Sequence, residues 1–180
     1  MNGEEKTAII VVDMLRGFCE EGNTLYCGDD CRKIIPNIKK LLDVKTAQGA
    51  KLFFLIDTHQ PDDKEFQMFP PHCVIGSPER EIIPELVGYK GERISKNRYS
   101  GFYNTELDEK LRELGIERLV VVGVCTDICV MHTVADARNR DYPVEVYTDC
   151  VASFDPEAHE WALKHMEKIL GAKLKSTSEL

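Results

Sequence analysis

No apolar run in this chain approaches the ~20 residues a membrane span requires; Ala8 to Val12, one of its most hydrophobic segments, is only long enough for a strand. Residues 1 to 6 are polar and provide no signal-peptide core, so a reducing cytoplasm is the expected setting. Basic charge is also scarce. Against 31 acidic residues stand 23 lysines and arginines, a formal net charge of −8, which argues against broad nucleic-acid or anionic-membrane binding. Internal repeats, low-complexity tracts and linker-like stretches are absent. With 43% hydrophobic and 30% charged residues, the 180-residue chain therefore reads as one globular domain, 1–175, followed by a frayed tail, 176–180. Cysteine, by contrast, is plentiful, with seven residues in all. Their odd number and scatter fit a reduced protein with a sufficient core. Cys27 with Cys31, and Cys125 with Cys129, have spacings that could bind metal, but neither forms the repeated CxxC of a structural zinc site. Cys27, Cys31 and Cys73 are read as structural.

Apolar runs alternate with amphipathic stretches. Ala8–Val12, Lys51–Ile56, Leu119–Val122 and Val144–Tyr147 read as strands, and Glu92–Ser95 as a fifth. Helices are expected from Pro36 to before Gly49, over Thr105–Leu114, over Cys129–Asn139 and over Pro156–Leu170. Strands that are apolar throughout, each followed by a helix, predict an α/β fold: a three-layer α/β/α, doubly wound, mostly parallel sheet. Such sheets place chemistry beyond the carboxyl ends of their strands. Asp13, Asp57, Lys96, the turn from Cys125 to Cys129, and Asp149 occupy those positions. The proline-rich segment between Thr58 and Gly88, with Phe66, Phe69 and His72, reads as an ordered binding loop.

Two constellations could carry chemistry. Cys129, in GVCTDICV, falls where a strand gives way to a helix, and a helix N-terminus favours thiolate and offers free N–H donors to an oxyanion. Its plainer reading is a buried structural cysteine. Asp13, directly after IIVV, is expected to be desolvated with a raised pKa, fit to carry a proton; otherwise it caps a helix or fixes a loop. Lys96 could stabilise negative charge or pair with Asp13, although most lysines are merely solvated. An acid, a cation and a thiol on one predicted rim make the chemical reading the stronger. The second constellation is Asp57, His59, Glu65 and His72. Two imidazoles with one or two carboxylates suit a divalent zinc, iron or manganese ion, with zinc favoured; Asp62 or Asp63 could replace Glu65.

In this combination, Asp13, DTH at Asp57–His59, FPPHC at Phe69–Cys73, Lys96 and GVCTDICV, the chain resembles the isochorismatase-like cysteine hydrolases, and most of all their nicotinamidase (pyrazinamidase) branch. The resemblance spans roughly Thr7 to Ala172. It implies a catalytic triad of Asp13, Lys96 and Cys129, an oxyanion hole from the backbone N–H groups of Cys125 and Cys129, and a cis peptide between Val124 and Cys125. It further implies metal ligation by Asp57, His59 and His72 with Glu65 as an additional ligand, and an aromatic slot matched by Phe18, Phe69 and Tyr99. The activity implied is conversion of nicotinamide to nicotinic acid and ammonia through a thioester, as in NAD salvage, and the resemblance is compatible with a homo-oligomer. One departure bears on specificity. Many nicotinamidases carry a tryptophan near the DxH motif, whereas this chain has Thr58, Gln60 and Pro61 there and its only tryptophan is Trp161. The alternatives are a related amidase or ureide hydrolase acting on another small amide, a hydrolase that uses a metal hydroxide without the thiol, and a non-catalytic metal- or ligand-binding protein on the same fold.

Overall fold

The computed structural model describes residues 6–180. Its centre is a parallel sheet whose six strands are β1 (Thr7–Val12), β2 (Lys51–Asp57), β3 (Glu92–Lys96), β4 (Arg118–Val124), β5 (Val144–Ala152) and β6 (Lys173–Lys175). They lie in the order β3-β2-β1-β4-β5-β6, and every pairing is parallel. The chain winds outward from β1 through β2 to β3, then returns to the other side of β1 for β4. This reversal opens a crevice beyond the carboxyl ends of β1 and β4.

β1 is buried along its whole length, because helices cover both faces of the sheet. Ile9 and Val11 point into one core with Ile38, Leu41 and Leu42 of α3 (Ile35–Ala47). Ala8, Ile10 and Val12 point into the other, which includes Leu107 and Leu111 of α4 (Leu107–Glu113), Val134 of α5 (Met131–Arg138) and Met166 of α6 (Pro156–Lys168). Strict alternation of side chains across the strand therefore feeds two cores from one apolar run. Two short helices, α1 (Arg16–Cys19) and α2 (Asp30–Lys33), precede α3 and escape sequence reading because a single turn carries no periodicity. α6 starts where proline at its first turn and Asp155 before it lead one to expect: the Asp155 carboxylate accepts the N–H groups of Glu157 and Ala158 at 3.0 and 3.1 Å.

The segment after β2 is ordered, as expected. Antiparallel and parallel bridges join Leu15 to Ile82 and His59 to Val74, and two 3₁₀ turns span Lys64–Gln67 and Pro78–Arg80. The tail differs from expectation. Instead of fraying, the chain adds β6 beside β5 and a final 3₁₀ turn, Thr177–Glu179, closed by a capping box from Ser176 to Glu179. The Asp149 carboxylate accepts the Thr177 N–H at 3.0 Å and the Ser176 hydroxyl at 3.3 Å, and Lys40 donates to the Thr177 carbonyl at 2.7 Å. Asp149 is thus an anchor within β5, away from the strand-end chemistry. Among the described residues no helix is long and apolar enough to cross a membrane.

Candidate active site

The tips of β1, β2, β3 and β4 deliver Asp13, Asp57, Lys96 and Cys129 to one place. Asp13 follows β1 with φ of 50°, a left-handed backbone rarely taken by residues other than glycine and common at functional sites. Asp57 and Lys96 are the last residues of β2 and β3 and face each other in register. The peptide from Val124 to Cys125 is cis. Gly123 just before it has φ of 117°, and a Cβ there would lie 2.1 Å from the Val12 carbonyl oxygen, so close approach of β4 to β1 demands glycine.

Beyond Cys125 the structure departs from expectation in an informative way. Thr126–Val130 forms a π-helical turn, and the α-helix begins only at Met131. The wider turn is closed by the Val130 N–H on the Cys125 carbonyl at 3.2 Å. Cys129 therefore sits inside an irregular turn of the kind that often marks functional sites. Nor is its thiol lowered. Burial pushes the Cys129 thiol well above its ordinary value, with Asp13 and Asp57 pushing the same way and Lys96 opposing them. The resting group is a thiol that needs a base.

That base is at hand. Burial raises Asp13 to about 6, despite the opposing Lys96. Lys96 has no exposed side-chain surface, and its Nζ lies 2.8 Å from Asp13 Oδ2, 3.2 Å from Asp57 Oδ1 and 3.5 Å from Cys129 Sγ. It also donates to the Arg98 carbonyl at 3.2 Å. Burial works against its charge, but the two carboxylates outweigh that and hold its pKa well above the ordinary lysine value. Acid, cation and thiol are therefore in mutual contact.

Asp57 joins this cluster to the second one. Its Oδ2 lies 2.9 Å from His59 Nε2 and 3.2 Å from His72 Nε2. The three ligand atoms fall within 4.8 Å of one another, a grouping that could hold a metal ion. Burial alone would raise Asp57, but Lys96 and then the two imidazoles hold it far below the usual carboxylate range. Burial lowers His59, yet Asp57 and Asp63 carry it the other way, to about 9. Glu65 Oε1 stands farther off, 3.9 Å from His72 Nε2. Its other oxygen, Oε2, is buried without a hydrogen-bond partner. Asp63 lies on the far side of His59, outside the ligand group, and Phe66 packs on both imidazoles with ring centroids 5.3 and 5.5 Å away.

A cavity of about 230 Å³ opens onto both clusters. Asp13, Cys129, Cys125, Asp57, Glu65 and His72 line it, together with Phe18, Phe69 and Tyr99 from the expected aromatic slot. His59 is fully buried behind them. Ile128, in the Cys125–Cys129 turn, lines the cavity too, whereas sequence reading missed Thr24, Leu25 and Tyr26 before α2 and Phe154 after β5. Phe154 was hidden because β5 runs on to Ala152, past the Tyr147 at which its apolar run ends. Cys27 reaches the wall as well, its Sγ 3.1 Å from that of Cys125.

Fold and site together define a parallel α/β protein with a thiol, an acid and a cation at its switch point. The chain matches the Isochorismatase domain over residues 7–178 and belongs to the isochorismatase family. It is 36% identical over 180 positions to the uncharacterized isochorismatase family protein PncA of Bacillus subtilis (strain 168), covering 94% of this chain and 98% of that one. The crystal structure of nicotinamidase PncA from Bacillus subtilis superposes with a TM-score of 0.89 at 36% identity, over 95% of this chain and 99% of that one. N-carbamoylsarcosine amidase from Thermoplasma acidophilum gives 0.88 at 33% identity, over 97% and 98%.

Proposed function

We propose that this protein is a cysteine amidohydrolase that converts nicotinamide to nicotinic acid and ammonia. The observation that carries the reading is the contact of Lys96 with Asp13, Asp57 and Cys129, the last three lining a small, partly aromatic cavity. A structural cysteine or a ligand-binding protein has no use for a buried acid and a buried lysine against one thiol. Likeness to nicotinamidase PncA supports the same substrate class.

In this mechanism Asp13, with a pKa of about 6, takes the proton from the Cys129 thiol. The ammonium of Lys96 meets the thiolate as it forms and keeps the site neutralised. Sγ attacks the carboxamide carbon, and the backbone N–H groups of Cys125 and Cys129 receive the oxyanion; loss of one such donor typically costs ~10²-fold or more in rate. Asp13 returns its proton to the departing ammonia, which leaves a thioester. Asp13 then draws a proton from water, which attacks the thioester, and the acid and the free thiol are released. Phe18, Phe69 and Tyr99 would hold the ring by its faces and edges.

The chain's own residues fit a divalent cation. Asp57, His59, Glu65 and His72 bring two carboxylates and two imidazoles together out of solvent, and Glu65 Oε2 has no hydrogen-bond partner, only an ion-pair contact with Arg98 at 3.8 Å. Asp57, His59 and His72 would hold the ion, with Glu65 nearby. Bound there, the ion would supply Lewis-acid chemistry toward the pyridine nitrogen and so help orient the ring.

The test is ammonia release from nicotinamide by the purified protein beside Cys129→Ala. Release that vanishes in the variant while metal content persists supports the thiol mechanism; retention of near-wild-type rate would sink it. A second reading, hydrolysis of another small amide, is favoured by likeness to N-carbamoylsarcosine amidase and by Thr58, Gln60 and Pro61 where many nicotinamidases carry a tryptophan. No release from nicotinamide, with thiol-dependent release from an N-carbamoyl compound, would select it.

A further inference from the structure

Asp63 takes no part in the mechanism above, yet it is one of the most heavily engaged side chains near the cavity. Its side chain is only 5% exposed. Its Oδ2 lies 2.9 Å from His59 Nδ1, the ring nitrogen opposite the one that faces Asp57 and His72. Its Oδ1 accepts the backbone N–H of Glu65 at 2.9 Å and so caps the 3₁₀ turn that carries Glu65. Arg98 holds the carboxylate from outside, donating to its two oxygens at 2.9 and 3.2 Å. The carbonyl of the same Arg98 accepts from Lys96.

We propose that Asp63, braced by Arg98, is the positioning residue of the cation site. A cation bound at His59 Nε2 requires that nitrogen bare. The single ring proton then sits on Nδ1, where only an acceptor can meet it, and a carboxylate is acceptor-only. Asp63 fixes both the tautomer and the tilt of the ring, and the same carboxylate sets the start of the turn that presents Glu65. Partners behind a ligating histidine commonly do this, and their loss typically costs ~10–100-fold in metal affinity. The inference rests on the reading that Asp57, His59 and His72 hold a divalent cation.

The experiment reads metal binding directly and leaves substrate aside. Full-length protein is stripped with a chelator, then titrated with zinc against a chromophoric competitor and, separately, with cobalt, whose visible bands report ligand geometry. Asp63→Leu is expected to weaken zinc binding about 10–100-fold and to shift the cobalt bands. Asp63→Asn keeps a carbonyl oxygen for the imidazole proton and is expected to recover most of the loss. Wild-type affinity and an unchanged cobalt spectrum in Asp63→Leu would overturn the positioning role while leaving the cation site standing. A wild-type protein that binds neither metal overturns the cation site and this role with it. Should Asp63→Leu not fold, Arg98→Ala carries the test: it leaves the carboxylate in place but unbraced, and severalfold weaker binding is expected, with unchanged binding refuting the proposal.

Discussion

Replacing Lys96 with methionine removes what is, among the described residues, the only cation in contact with Asp13 Oδ2 and Asp57 Oδ1, at 2.8 and 3.2 Å, while nearly conserving volume. At an effective dielectric constant of about 20 those contacts amount to roughly 6 and 5 kcal/mol of gross attraction. Much of this offsets the desolvation of three buried charges, and removing one member of a buried pair typically costs about 3–5 kcal/mol net. Two carboxylates are left behind here, so Lys96→Met should lose about 5 kcal/mol at pH 8, near the top of that range. Urea unfolding of chelator-treated protein measures it. The sign of the pH dependence follows from Asp13, which burial already lifts to about 6 with Lys96 opposing. Without Lys96 it rises further, so the folded state binds more protons than the unfolded one and stability falls as pH rises. The deficit of Lys96→Met should accordingly shrink as pH drops from 8 toward 5, and hydrolysis should be lost at every pH. A deficit under about 1 kcal/mol at pH 8, or one that does not shrink on acidification, refutes this account of Lys96 as the counter-ion.

Three further outcomes are expected. The rate of nicotinamide hydrolysis, as kcat/KM, should fall about tenfold per pH unit below the Asp13 value of about 6, because the base must be a free carboxylate; a flat profile down to pH 5 would assign the base elsewhere. Gly123→Ala combines a φ of 117° with a Cβ 2.1 Å from a backbone oxygen, so it should cost about 3 kcal/mol or more and disturb the thiol turn; a thermal melt and activity like wild type would contradict the packing. Asp149→Ala releases the Thr177 N–H and the Ser176 hydroxyl, and a loss of about 2 kcal/mol with faster tryptic cleavage after Lys175 is expected; unchanged cleavage would show that the tail is held by other contacts.

What could be read in the sequence is what long apolar runs and strand ends dictate. AIIVV announces β1 because every residue in it is buried by helices on both faces, and the acid that follows such a strand must lie at its carboxyl end. Asp13 and Asp57 were legible on that ground, whereas Lys96 ends the mostly exposed β3, where Ile94 is the one other buried residue. β6 was not legible: three residues with lysine at either end form an edge strand too short and too polar to register as a run. The π turn was equally hidden, since TDICV leads straight into helix-compatible sequence and only the Val130 bond to Cys125 reveals the extra residue. The expectation of a depressed thiol pKa failed for a related reason, because burial and two neighbouring carboxylates dominate the pKa of Cys129, and sequence spacing reports neither.

The two constellations read as separate in the sequence are one site in space, and Asp57 is the reason. Its Oδ1 faces Lys96 while its Oδ2 faces His59 and His72. A strand-end position predicts that an acid reaches the rim, but it says nothing about how two oxygens of one carboxylate are shared. That division follows from register: parallel pairing sets Asp57 directly beside Lys96 on β3, and the tight return of the chain through Thr58 brings His59 back under it, its N–H and carbonyl bonded to Cys73 and Ile75. A change at Asp57 therefore cannot be confined to one function. Asp57→Asn would remove charge from the imidazole group and from Lys96 together, whereas His59→Ala touches only the first. A metal-free His59→Ala protein that retains the stability and pH profile of the lysine cluster, beside an Asp57→Asn protein that loses both, is the pattern this shared carboxylate requires.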